Sequence, residues 1–142
     1  INDGDVLFAW SASLGVYLWS KGKALLNQHI FNVHPKKDNG IRKSFIYFML
    51  RRMIDKFVQI AASRATTMGH ITKEHLINEK IALPTGEVFE EYQKKLEDIY
   101  RAILSNLKEN EVLIETRDYL LPKLLSGEID LLSAEKEVER GL

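Results

Sequence analysis

From Glu87 to about Leu121 an apolar residue returns every three or four positions: Phe89, Tyr92, Leu96, Ile99, Ile103, Leu107, Ile114 and Leu121. Asn110 occupies one place in the same series, and Glu, Lys and Asp fill the positions around it. Spacing near 3.5 residues marks the narrow seam of a coiled coil, not the broad apolar stripe of a helix on a core. At 1.5 Å per residue the helix would be about 50 Å long, more than a domain built from residues 1–86 can cover. The seam therefore predicts a partner helix from elsewhere, with Asn110 as a polar insertion that fixes register at some cost in stability. It breaks near Arg117–Asp118, and a Leu-rich run closes the segment: Arg117-Asp118-Tyr119-Leu120-Leu121-Pro122-Lys123-Leu124-Leu125-Ser126-Gly127-Glu128-Ile129. Pro122 predicts a kink or restart and Gly127 a C-terminal cap.

Upstream the pattern is mixed. Gly4–Trp10 and Val16–Trp19 are rich in β-formers and predict strands, joined by the small-residue loop Ser11–Gly15. Ala24–Val33 predicts a third, after the basic turn Lys21-Gly22-Lys23. Asn27, Gln28 and His29 then read as polar residues on its outer face, and Trp10, Tyr17 and Trp19 as core or rim. Pro35–Gly40 reads as an exposed loop. From Ser44, a candidate N-cap, the period changes: Ile46, Met49, Leu50, Met53, Ile54, Phe57 and Ile60 line one helix face, with Arg51, Arg52 and Lys56 on or beside the other. Ser63–His70 is a polar, aperiodic connection. Thr72 can cap one helical turn through Leu76, and Glu79–Leu83 reads as a short strand stopped at Pro84. Strands and helices follow without strict βαβ alternation, so the fold class is α+β. Ser133–Leu142 predicts one weak helix in the tail.

Charge divides the chain at the same place as the pattern does. Residues 1–86 hold 12 Lys and Arg against 6 Asp and Glu, whereas residues 87–142 hold 8 against 14, so a net charge of zero conceals +6 and −6. A basic module suits a polyanion and an acidic one suits protein partners. The absence of cysteine excludes disulfides and thiolate chemistry and fits cytoplasmic residence. No apolar run reaches the roughly 20 residues of a membrane span. The opening Ile-Asn-Asp-Gly-Asp reads as the approach to a strand already inside a fold, as in a piece of a longer chain.

Signatures of catalysis are missing. The chain carries no Gly-x-x-x-x-Gly-Lys loop, no Gly-x-Gly-x-x-Gly fingerprint and no Asn/Asp-Pro-Pro-aromatic run. His29, His34, His70 and His75 have no metal-site spacing, since His70 and His75 are five apart and not the four that shares a helix face. Glu90 and Glu91 belong to a charge run that reads as a solvated helix face. The expectation is a non-enzyme that needs no cofactor or metal.

Three stretches resemble the specificity (DNA-recognition) subunits of type I restriction–modification systems. Gly4–Tyr17, Gly-Asp-Val-Leu-Phe-Ala-Trp-Ser-Ala-Ser-Leu-Gly-Val-Tyr, is similar to the strand–loop–strand of the family's target recognition domain. Ala24–Phe31, Ala-Leu-Leu-Asn-Gln-His-Ile-Phe, is similar to its next strand, and Leu120–Ile129 to the ending of its helix. With the basic helix and the Ile81-Ala82-Leu83-Pro84 exit, the resemblance runs over nearly the whole chain in order. Where the family often has Pro-Leu-x-Glu-Gln after this exit, the chain has Thr85-Gly86-Glu87-Val88-Phe89.

The resemblance implies the C-terminal part of a target recognition domain at 1–86, a long helix for spacing and assembly at 87–127, and a tail at 128–142. Its partners would be double-stranded DNA, methyltransferase subunits that carry S-adenosylmethionine, a restriction subunit, and another half-subunit or a second copy paired through the helix. Phosphate contacts would come from Lys21, Lys23, Arg64 and Lys73, and base-edge contacts from Ser11, Ser13, Arg64, Thr66, Thr67 and His70. Two other readings stay open: a DNA-inactive dimerisation module of the same family, and a fragment of a fused methyltransferase.

Overall fold

Val6–Ala9 (β1) is the most apolar of the short strands, and it takes the centre of a three-stranded sheet between Gly15–Leu18 (β2) and Ile30–Val33 (β3). Both pairings are antiparallel, with Val6 opposite Leu18 and Val33, and Ala9 opposite Gly15 and Ile30. The computed structural model describes residues 1–11, 14–37, 39–62, 71–129 and 140–141. Its helices are Lys43–Ala62 (α1), Lys73–Asn78 (α2) and Glu87–Leu125 (α3), and the fold class is α+β as expected. The chain divides into two compact units, Ile1–Ser105 and Asn106–Leu142.

In the first unit the core lies between the sheet and α1. Val6 and Phe8 share one face of β1 by its period of two and are fully buried. Phe57 of α1 meets Phe8 edge to face, with ring centroids 5.6 Å apart. Leu7, on the opposite face, is buried as well, so the central strand is covered on both sides.

The start of β1 is held by a polar knot. The buried Asp5 carboxylate accepts from the Asn2 N–H (2.9 Å), the Lys43 ammonium (2.9 Å) and the Asn32 amide (3.3 Å). Burial alone would raise its pKa, but these donors outweigh burial and hold it below its ordinary value. The folded pKa is thus lower than the unfolded one. The stabilisation is present at neutral pH and is lost as pH falls below about 4 and through the folded value. Asp5→Asn should cost about 1–3 kcal/mol at pH 7 and flatten the fall of stability in acid. Urea titrations across this range check both effects, and equal acid slopes would remove the assignment.

Several sequence expectations shift. Ser44 lies inside the first turn of α1 and is fully buried, and Arg42 occupies the cap position instead, its carbonyl accepting from the Ile46 N–H. Only Ile30–Val33 of the expected run Ala24–Val33 is strand, because β1 offers four residues of ladder and Leu25 is 99% exposed. Glu79–Leu83 is not a strand. Its Ile81 and Leu83 line an apolar cleft with Ile41, Phe45, Ile46, Met49 and Leu50, and they join no ladder. The helical turn after Thr72 is present, and His75 completes it by accepting the Thr72 N–H on Nδ1 at 3.0 Å, the part a Glu plays in a capping box.

Up to Ser105, α3 docks through Phe89, Gln93 and Tyr100, its buried residues. Phe89 packs edge to face on Phe45 (5.2 Å) and Tyr100 on Tyr47 (5.5 Å). The surface carries the ion pairs Glu91–Lys95 and Glu97–Arg101, each one helical turn apart.

In the second unit, the rest of α3 leaves Val112, Leu113, Ile114, Tyr119, Leu121 and Leu125 exposed. The helix runs on through Pro122, which donates no bond to the preceding turn. Gly127 ends it in the left-handed conformation (φ 74°), its N–H bonded to the Leu124 carbonyl. Lys123 pairs with Glu128 at 2.8 Å and lies over the Tyr119 ring. Most of the expected tail helix falls outside the described residues.

Candidate nucleic-acid interface

Described residues that flank two of the candidate segments meet at one end of the sheet. Trp10 follows β1, and its carbonyl accepts from the N–H of Ile71 at 2.9 Å, so the chain returns beside Trp10 after the connection at 63–70. Ile71 is fully buried there, and Ser11 begins the other loop. Ser13, Arg64, Thr66, Thr67 and His70 themselves lie outside the described residues, and Lys73 opens α2.

A third segment reaches this end. The Trp10 N–H donates to the His29 carbonyl at 3.2 Å, and the Trp10 ring contacts the rings of His29 (5.2 Å, tilted) and Phe31 (5.9 Å, stacked). Asn27, Gln28 and His29 are exposed in a turn ahead of β3, not on a strand face. Asn27 makes that turn itself, its Oδ1 accepting from the His29 N–H at 2.9 Å. An Asn two residues before the turning amide is a signal the sequence does carry, and strand propensity hid it.

The structure does not bring Lys21 and Lys23 to this place. Their turn is closed by Trp19 Nε1 donating to Gly22 O (2.6 Å) and Gly22 N donating to Asp3 Oδ1 (2.7 Å). Because Leu18 pairs with Val6, the turn sits at the opposite end of β1, roughly 10 Å away along the strand. That end also holds Asp5 and the α3 contacts at Gly4.

Between the two ends runs the outer face of α1. Arg51 and Arg52 are exposed on it, and among the described residues neither has an ion-pair partner, while Lys56 is tied to Glu79 at 2.6 Å. Sequence reasoning placed these arginines on the outer face without naming them as contacts.

Of the expected seam, Phe89 is buried against the domain, Leu96 and Ile103 are partly covered, and Tyr92 and Ile99 are each 51% exposed. In the second unit Leu107 is partly covered, and Asn110, Ile114 and Leu121 are exposed. The seam and the docking face are therefore adjacent stripes. At about 100° per residue, Tyr92 and Ile99 lie roughly 80–120° around the helix from Tyr100 and Gln93. Among the described residues no group of three or more His, Asp or Glu could hold a metal ion, and no helix is long and apolar enough to cross a membrane.

Residues 1–115 match the family model of the type I restriction modification DNA specificity domain. The HindI specificity subunit of Haemophilus influenzae is 31% identical over 119 residues, 83% of this chain and 26% of that protein. Two specificity subunits of Methanocaldococcus jannaschii are also similar. MjaIX is 29% identical over 60% of the chain and 19% of its own length, and MjaVIII is 25% identical over 89% and 29%. The chain thus spans between about a fifth and three-tenths of the curated relatives it matches. No solved structure matches it. With the family model covering most of its length, the chain belongs to the type I restriction–modification DNA specificity family.

Proposed function

We propose that this chain is the recognition segment of a type I specificity subunit, reading one half of a bipartite duplex site while α3 sets its distance from a second reader. It performs no chemistry. Methyltransferase subunits, with their S-adenosylmethionine, and the restriction subunit are directed to the site in the cytoplasm. The observation that carries the reading is the polarity of the small domain. The flanks of the loops at 12–13 and 63–70 and the Asn27–His29 turn converge at the Trp10 end of the sheet, while α3 docks at the Gly4–Asp5 end. A reader at one end and a spacer at the other is what half-site recognition at fixed separation requires.

In this reading Ser11, Ser13, Arg64, Thr66, Thr67 and His70 face base edges, and Lys73, Arg51 and Arg52 face phosphates. Lys21 and Lys23 belong to the spacer end and reach DNA only where the duplex continues past the domain. The test uses the subunit that carries this chain, assembled with its methyltransferase subunits, and duplexes it selects from a random pool. Arg51→Ala with Arg52→Ala should weaken all duplexes alike and lower the salt slope of log Kd by about 2, one per phosphate contact. Arg64→Ala should narrow the gap between selected and unselected duplexes. An unchanged salt slope would take α1 out of the interface. A wild-type assembly that associates but never shifts any duplex would favour the dimerisation module.

A further inference from the structure

The amide of Gln93 is fully buried, and both of its ends are used on one loop. Its Nε2 donates to the Gly40 carbonyl at 2.8 Å, and its Oε1 accepts from the Arg42 N–H at 2.7 Å. Arg42 is the residue from which α1 starts, so this N–H is one of the helix's orphan donors. In a capping box it would be satisfied from within the same helix. Here α3 supplies the acceptor, from 51 residues away in sequence. Seven residues further along α3, the buried Tyr100 hydroxyl donates to the Gly4 carbonyl at 2.7 Å, at the turn entering β1.

Resting on the function proposed above, we infer that Gln93 and Tyr100 are positioning residues that set the register and heading of α3 on the recognition domain, and through it the half-site separation. The two bonds lie about 10 Å apart along the helix on one face. A slip of one residue moves that face by 1.5 Å and turns it through about 100°, breaking both bonds together. Apolar neighbours such as Phe89 can repack after a small shift, whereas a buried amide or hydroxyl without its partner cannot. Buried polar groups fix register in coiled coils for the same reason. Gly4 accepts this bond from a left-handed conformation (φ 77°), and a side chain there would approach Leu104 of α3 at 3.4 Å, so the helix also sits close to the backbone it reads.

The experiment compares wild type, Tyr100→Phe and Gln93→Met in the full methyltransferase assembly. Its probes are duplexes carrying the two selected half-sites, with the spacer changed one base pair at a time, and a duplex carrying a single half-site. Wild type should prefer one spacer length sharply. Each variant should lose about tenfold of that preference, the worth of one buried hydrogen bond, or move it to a neighbouring length, with single half-site affinity within about twofold of wild type. A spacer preference as sharp as wild type in both variants would overturn the inference. Loss of half-site affinity and spacing preference in parallel would overturn it too, because the residues would then only hold the fold. A wild-type assembly indifferent to spacing would instead overturn the bipartite reading, and the inference with it.

Discussion

If α3 pairs with a second helix as proposed above, Ile99→Asp should weaken that pairing by roughly a hundredfold or more, the cost of an unpaired carboxylate in a buried interface. Ile99 is 51% exposed in the isolated chain, so the substitution removes little from the fold of the first unit. The expected result is therefore specific: an unchanged melting temperature for the chain alone, and loss of the larger species in sedimentation of the assembly. Ile103 lies on the same stripe but is partly covered by the domain, and an acid there would confound folding with association. An Ile99→Asp assembly that stays intact at all concentrations would mean that this stripe faces water and that the partner engages α3 elsewhere.

Phe57→Ala should cost about 3–5 kcal/mol, the range for removing a buried aromatic from a packed core. Phe57 is 1% exposed and closes the sheet against α1 through its contact with Phe8. A domain of this size has about 5–15 kcal/mol to lose. Each kcal/mol lowers the midpoint by roughly 4–8 °C, so the variant should melt roughly 12–40 °C earlier or be unfolded at room temperature. The four-residue strands of the sheet cannot absorb the gap by repacking. Thermal unfolding followed in the near ultraviolet reads the loss directly, and a shift of only a few degrees would move the core away from the Phe8–Phe57 contact.

Much of the fold was legible because its signals are local. The period of α1 and α3 is written in Phe57, Phe89, Leu96 and their neighbours, and the β-forming runs around Val6 and Val16 need only their own composition. Glu79–Leu83 misled for a physical reason: alternating Ile81 and Leu83 look like a strand, but a strand exists only where another backbone can pair with it. These two residues line a cleft beside α1 instead. Ala24–Leu26 misled likewise, since β1 is too short to accept it. The grouping of the segments that flank the candidate interface was not legible. Nothing local says that Asn27–His29 turns toward Trp10, or that Lys21 and Lys23 sit at the far end of the strand.

What the sequence determined by itself is the helical period, the charge division at residue 86 and the family, all properties of neighbours along the chain. Only the tertiary structure decided which stripe of α3 is taken by its own domain. Gln93 looks like one more polar residue on a solvated helix until Gly40 and Arg42 arrive from 53 and 51 residues away, and Tyr100 until Gly4 arrives from 96. A buried polar side chain is defined by the partner that satisfies it. That partner is distant in the chain, so no local pattern could have named it.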